Sequence, residues 1–305
     1  MKKNVLSICA LLIFYTISGQ QNIFQNSSLF NYYSLNSAYA GSKNLTYIAF
    51  SFQKQWLGIE GSPLSQYISF HNSLYKGKMG YGLLLEHDQI GLHRRVSLQG
   101  TWAYHIRSNS GLFSFGLDLV ADQYSFNFSE LNLFEPDALL DQTQNVNGLS
   151  PDAGISFLFQ NNKSILGLKA SNLMQSPISL KTDGRIYRER IHFDFLIGKA
   201  FVLSKDLILK PYLIANYLLT GQYFYDISLN FTLRERVTFG ASYRNDNNIN
   251  LLGHFFVSNK VRIGYSYELG TMRLTSKNPS SLELFIGMNI SKDKGDVVSP
   301  RFYSL

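Results

Sequence analysis

The chain has 305 residues, of which 45% are hydrophobic, 14% aromatic and only 16% charged, well below the roughly 25% charged share of a water-facing domain. Its mean hydropathy of -0.07 is nevertheless too low for a bundle of membrane helices, and it fits a surface on which apolar and polar residues alternate. The net charge of +7 is scattered rather than clustered, which argues against nucleic acid as a partner and leaves outer-membrane lipid head groups or an acidic partner.

Residues 1–20 read as a secretory signal peptide. Lys2 and Lys3 form the charged start, Val5 to Ile17 the apolar stretch, and Ser18-Gly19 the small residues before cleavage near Gly19 or Gln20. The apolar stretch is too short to span a bilayer as a helix. Cys9, the only cysteine, lies inside it behind Ile8, where a lipoprotein site needs a small residue. The mature chain is therefore expected to use neither disulfides nor thiolate chemistry.

A lead-in over residues 21–43 precedes a barrel over 44–291. The dominant signal there is a period of two, the mark of a strand with one apolar face. Phe113, Phe115, Leu117, Leu119 and Ala121 alternate with Ser114, Gly116, Asp118 and Asp122, Val120 being the exception. Tyr223, Tyr225, Ile227, Leu229, Phe231 and Leu233 alternate with Phe224, Asp226, Ser228, Asn230 and Thr232; similar runs cover 189–201, 260–269 and 281–291. About fourteen runs can be counted, many near the 9–11 residues that cross a bilayer at a tilt. Turn-like breaks such as Asn161-Asn162-Lys163 and Asn245-Asp246-Asn247-Asn248 separate them.

The expected fold is thus an all-β, transmembrane, antiparallel up-and-down barrel of about fourteen strands. An even count puts both chain ends on the periplasmic side, with a tail over 292–305 there. A soluble β-sandwich would also alternate, but its polar faces would carry many Lys and Glu. Here they carry Gly, Ser and Asn with isolated charges.

Those isolated charges are the first candidates for function. Glu86, Asp118, Asp122, Asp194, Asp226, Arg262, Glu268 and Glu283 fall on polar faces and are expected to line the lumen, as internal salt bridges or as a selective lining. A second set sits in connections. Trp56, Gly58, Gly61 and Pro63 make a tight, aromatic-tipped segment, read either as a rim turn with an interfacial Trp anchor or as a docking or plug loop. Asn36, Tyr39 and Gly41 belong to a fixed lead-in at the barrel mouth, and Asp88 with Gly91 shapes a turn.

Four stretches in combination resemble the PorP/SprF family of type IX secretion system membrane proteins, known from Bacteroidota. Leu35-Asn36-Ser37-Ala38-Tyr39-Ala40-Gly41-Ser42 is similar to the family's NPAYAGS, with Ser37 in place of the usual Pro. Gln55 to Pro63 resembles QWxGxxGxP. Gly80-Tyr81-Gly82 followed by His87-Asp88-Gln89-Ile90-Gly91 resembles a GxGxxxxxDxxG hairpin, and Trp102 to Ile106 resembles a YAYHI strand. Ser299-Pro300-Arg301-Phe302 is similar to a frequent family ending. The resemblance covers the whole chain, most clearly before residue 110. It implies an outer-membrane barrel of the type IX secretion machinery that supports secretion or surface attachment of large, gliding-type adhesins. The expected partners are that machinery and a secreted adhesin.

The residues themselves point to no other chemistry. The six histidines form no metal-ligand spacing, no Gly-rich phosphate loop opens a helix, and no Ser-His-Asp set is diagnostic. Neither cofactor nor catalytic activity is expected. A passive porin for small solutes is the alternative function, and a lipid-modifying barrel enzyme the third.

Overall fold

The computed structural model describes residues 29–127, 146–179, 186–270 and 280–290. The signal peptide, the tail and the ending at Ser299 to Phe302 lie outside the described residues.

The wall is one antiparallel sheet closed on itself. Its strands are β1 (Tyr47–Lys54), β2 (Leu64–Leu74), β3 (Met79–Ile90), β4 (His93–Ser108), β5 (Gly111–Phe126), β6 (Val146–Gln160), β7 (Ser164–Ser171), β10 (His192–Lys199), β12 (Leu207–Leu218), β13 (Tyr223–Leu233), β14 (Val237–Arg244), β15 (Asn248–Phe256), β16 (Val261–Gly270) and β17 (Ser280–Asn289). β8 (Pro177–Ser179) and β9 (Ile186–Arg188) form a separate hairpin, and β11 (Phe201–Val202) continues β10. Neighbours in sequence pair in space, and β1 pairs with β17 to close the ring, Phe50 opposite Ile286. Closure satisfies every edge, which a bilayer demands because lipid offers the backbone no hydrogen bonds. The fold is the fourteen-strand barrel expected from the alternation.

Side-chain parity follows the sequence reading. On β5, Ser114 and Asp118 are fully buried, whereas Phe115, Leu117 and Leu119 are exposed, Leu119 by 65%. The same outward apolar face runs through Ile227 and Leu229 on β13, Tyr265 on β16 and Leu284 and Ile286 on β17. So continuous an apolar belt is a lipid contact, since a water-soluble monomer rarely shows patches of that extent.

Three local differences from the sequence reading have physical causes. First, Asp88 was read as shaping a turn, yet β3 runs to Ile90 and β4 starts only at His93, and β5 reaches Phe126. The β4–β5 ladder pairs His93 with Phe126 because hydrogen bonding continues past the length a bilayer requires, so the wall projects beyond the membrane on that side. Asp88 therefore sits in a strand and does not shape a turn. Second, the first strand begins at Tyr47, not residue 44. Third, the β10–β12 ladder breaks between Gly198 and Phe201, opposite Pro211; proline has no N–H for the ladder.

The connections at 75–78, 109–110, 161–163, 203–206, 234–236 and 257–260 are all short. The opposite end carries the long ones, including 55–63 and 172–191. Barrels of this kind have short periplasmic turns and longer outer loops, so the end where β1 begins and β17 stops faces the periplasm.

Candidate functional site

A ring of fourteen strands is wider than the eight whose side chains fill their own interior. The space is taken by the chain's own N-terminal segment. Residues 29–46 enter the barrel from the periplasmic end as a short helix α1 (Tyr32–Leu35) and a 3-10 turn (Ser37–Tyr39). Tyr33, Ser37, Ala38 and Ala40 are completely buried. The lead-in expected at the mouth is instead a plug that reaches half-way up the lumen, where Ser37 meets Asp118 and Ser156 near the middle of β5 and β6.

The plug is pinned by hydrogen bonds to strands all round the wall. Asn31 Nδ2 donates to Ser69 Oγ at 2.8 Å, and Tyr33 OH to Thr101 Oγ1 at 3.0 Å. Asn36 Nδ2 donates to the carbonyls of Phe157 and Leu168 at 3.1 and 3.0 Å, while its oxygen caps the 3-10 turn at Ala38 N. Ser37 Oγ donates to Asp118 Oδ2 at 2.6 Å, and Ala38 N to Ser156 Oγ at 2.9 Å. His105 Nε2 donates to the Ala40 carbonyl at 2.9 Å. Arg262 donates to the Phe30 carbonyl and, at 2.8 Å, to Tyr47 OH. Burial keeps the Tyr33 and Tyr39 hydroxyls well above their ordinary pKa, so both remain protonated, Tyr33 as the donor to Thr101.

Glycines let the plug approach the wall. Gly41 has φ +70°, and a Cβ there would lie 2.5 Å from Gly80 Cα; one on Gly80 would lie 1.9 Å from the Ala40 carbonyl oxygen. A Cβ on Gly82 would enter the Tyr33 ring at 2.5 Å. Three of the sequence stretches therefore have one structural cause: residues 35–42 are the plug, Gly80 and Gly82 are its seat, and His105 is its clasp. The exposed partners of His105 on the same strand, Trp102 and Tyr104, face lipid.

The structure divides the expected docking set. Asn36, Tyr39 and Gly41 lie in the plug. Trp56, Gly58, Gly61, Pro63, Asp88 and Gly91 lie at the opposite, outer rim. There Gln55 N donates to the Pro63 carbonyl at 2.9 Å, Gly91 N to the Gly61 carbonyl at 2.8 Å, and Trp56 takes φ +48°. This loop is hydrogen-bonded to the β3–β4 turn.

All eight expected lumen charges face inward. Asp122 and Glu86 meet Arg95 at 3.1 and 3.9 Å, with Asp88 also 3.5 Å from that guanidinium. Asp118 is 3.7 Å from Lys169 and accepts from Thr101 Oγ1 at 2.7 Å. Glu268 and Asp226 flank Arg244 at 3.2 and 3.9 Å. Glu283 accepts from Ser51 Oγ at 2.8 Å, and Asp194 from Asn216. Arg95, Lys169 and Arg244 were missed as partners, although their parity along the strand already placed them inward.

Below these pairs, between the plug and strands β12 to β17, lies a cavity of about 130 Å³. Lys43, Lys210, Lys260 and Arg262 line it with His71 and His254, and among the described residues no Asp or Glu does. Of its cations the sequence singled out only Arg262, because the four come from three separate segments, at 43, 210 and 260–262. Among the described residues no group of His, Cys, Asp and Glu could hold a metal.

Residues 17–288 match the family described as type IX secretion system membrane protein PorP/SprF. No curated protein matches the sequence. Among solved structures, the barrel resembles the P. putida toluene transporter TodX (10% identity, 88% of this chain and 95% of that one, TM-score 0.51). It also resembles the CymD monoaromatic hydrocarbon channel (12%, 90% and 94%, 0.51) and a Pseudomonas aeruginosa FadL homologue (9%, 88% and 95%, 0.51). At such identities the likeness is one of fold.

Proposed function

The chain belongs to the PorP/SprF family of type IX secretion system membrane proteins, and on that premise we propose that it supports secretion or surface attachment of a large, gliding-type adhesin through protein contacts. It is an outer-membrane barrel and a component of that secretion machinery. The observation that carries the finer reading is the plug. A lumen filled to mid-height by residues 29–46, hydrogen-bonded to β2, β4, β5, β6, β7 and β16, leaves little room for a folded client. What remains for partners is the two rims. At the outer one, Trp56, exposed Leu57 and Gly58 stand on a braced loop. At the periplasmic one, Tyr75, 73% exposed, leads a turn with Lys76 and Lys78 nearby.

The test is deletion of the gene with two readouts. Loss of one large surface adhesin with unchanged solute uptake supports the proposal. Unchanged surface protein with impaired solute uptake, together with steady conductance of the pure protein in planar bilayers, would replace it by the porin. Hydrolysis of labelled lipid by the purified protein would instead favour the barrel enzyme.

A further inference from the structure

The lumen is electrically divided along its axis. The inward carboxylates Glu86, Asp118, Asp122, Asp226, Glu268 and Glu283 occupy its middle and outer parts, each against a basic or hydroxyl partner. The periplasmic cavity has the opposite composition, with four basic side chains and, among the described residues, no acidic one in its lining. Glu235, on the β13–β14 turn, is the carboxylate whose field reaches Lys210, but it is not part of the wall.

The cations are also held in place. The Arg262 guanidinium lies 5.3 to 5.9 Å from the ring centres of Phe285, Phe256 and Tyr47, and its bonds to Phe30 and Tyr47 fix it to the plug and β1. Its Nε, the Nδ1 of His254 and the amide oxygens of Asn31 and Asn230 are buried and have no hydrogen-bond partner. Like charges in a shielded space repel more strongly than in water. Burial, and then the charges of Arg262 and Lys210, push the Lys43 ammonium down to about 7. A guanidinium beside lysines is an arrangement that takes an oxyanion, Arg262 donating through the nitrogens that its bonds to Phe30 and Tyr47 leave over, Nε among them, and the ammonium groups adding point charge.

We infer that this cavity is a binding site for one phosphate group, seated between Arg262, Lys43, Lys210 and Lys260 and supplied either as free phosphate or on a lipid head group. A volume of about 130 Å³ admits one such group and no folded segment. A dianion draws the proton back onto Lys43 and offsets more of the gathered positive charge than a single carboxylate does.

The test uses the full-length mature barrel in detergent. Inorganic phosphate and a short-chain phosphatidic acid are titrated calorimetrically in phosphate-free buffer at low salt. One-to-one binding of either probe is expected, weakened at least tenfold by Lys43→Gln, which alters the plug and not the wall. Lys260→Gln, on a turn, provides a second variant should the first disturb folding. Lys205→Gln removes the same charge from an exposed turn and is expected to leave affinity unchanged. Binding of phosphatidic acid alone identifies a lipid source, and binding of inorganic phosphate identifies a free anion. Absence of both at millimolar concentration, or equal weakening by Lys205→Gln, overturns the site.

Discussion

Replacing Gly80 with alanine is expected to unseat the plug while leaving the wall intact. Gly80 is the second residue of β3 and faces the lumen. Its added Cβ would lie 1.9 Å from the Ala40 carbonyl oxygen, 2.5 Å from that carbonyl carbon and 2.9 Å from Gly41 Cα. All three are backbone atoms, so no rotamer change relieves the overlap. The plug must retreat about 1.5 Å to bring the closest pair to an ordinary 3.4 Å contact. That movement breaks the His105–Ala40 bond at 2.9 Å and the Gly41–His71 bond at 3.4 Å. Overpacking costs about 1–3 kcal/mol and each lost hydrogen bond about 1 kcal/mol. The docking equilibrium should therefore shift by roughly 3–5 kcal/mol, between a hundredfold and a few thousandfold. Gly100→Ala is the control, because a Cβ there meets nothing within 4 Å. Conductance in planar bilayers and hydrogen exchange at the Ala38 and Ala40 amides should both rise in Gly80→Ala only. If Gly80→Ala folds and matches the parent in both measurements, the plug is not held by this contact.

Other perturbations separate plug, wall and cavity. Asp118→Ala strips the acceptor shared by Ser37, Thr101 and Gln99 and removes the ion-pair partner of the largely shielded Lys169; a loss of about 3–5 kcal/mol is expected in denaturant unfolding, with Asp118→Asn recovering part of it. Leu119→Arg, on the lipid face at the same height, should cost about 2–4 kcal/mol in refolding into lipid vesicles without changing plug exchange. Lys43 has a folded pKa of about 7 against about 10.4 in the unfolded chain. Between those values the unfolded chain binds more protons, so stability should rise with pH across that window, the penalty being complete below pH 7. The temperature at which the barrel loses its folded mobility on a denaturing gel should climb over that range in the parent and less in Lys43→Gln; equal slopes would contradict the burial of this ammonium.

The sequence by itself determined the wall. Successive side chains on a strand point to opposite faces whatever the neighbouring strands do, so the parity of Leu119 and Asp118, or of Ile227 and Asp226, could be read locally. Fourteen such segments with no interior cysteine or long apolar helix left a closed sheet in lipid as the consistent fold. The plug was not legible in this way. Residues 29–46 carry no period, and their meaning lies in contacts across great sequence distance: Gly41 on Gly80, Ser37 on Asp118, the Ala40 carbonyl on His105. The height at which a side chain sits is likewise a sum over the stagger of all the strands, and no single strand encodes it. That sum placed Trp56 at the outer rim and Tyr39 inside the lumen, although both stood in neighbouring motifs. It also gathered Lys43, Lys210, Lys260 and Arg262 into one cavity, because the plug carries Lys43 across the lumen to face β12 and the start of β16.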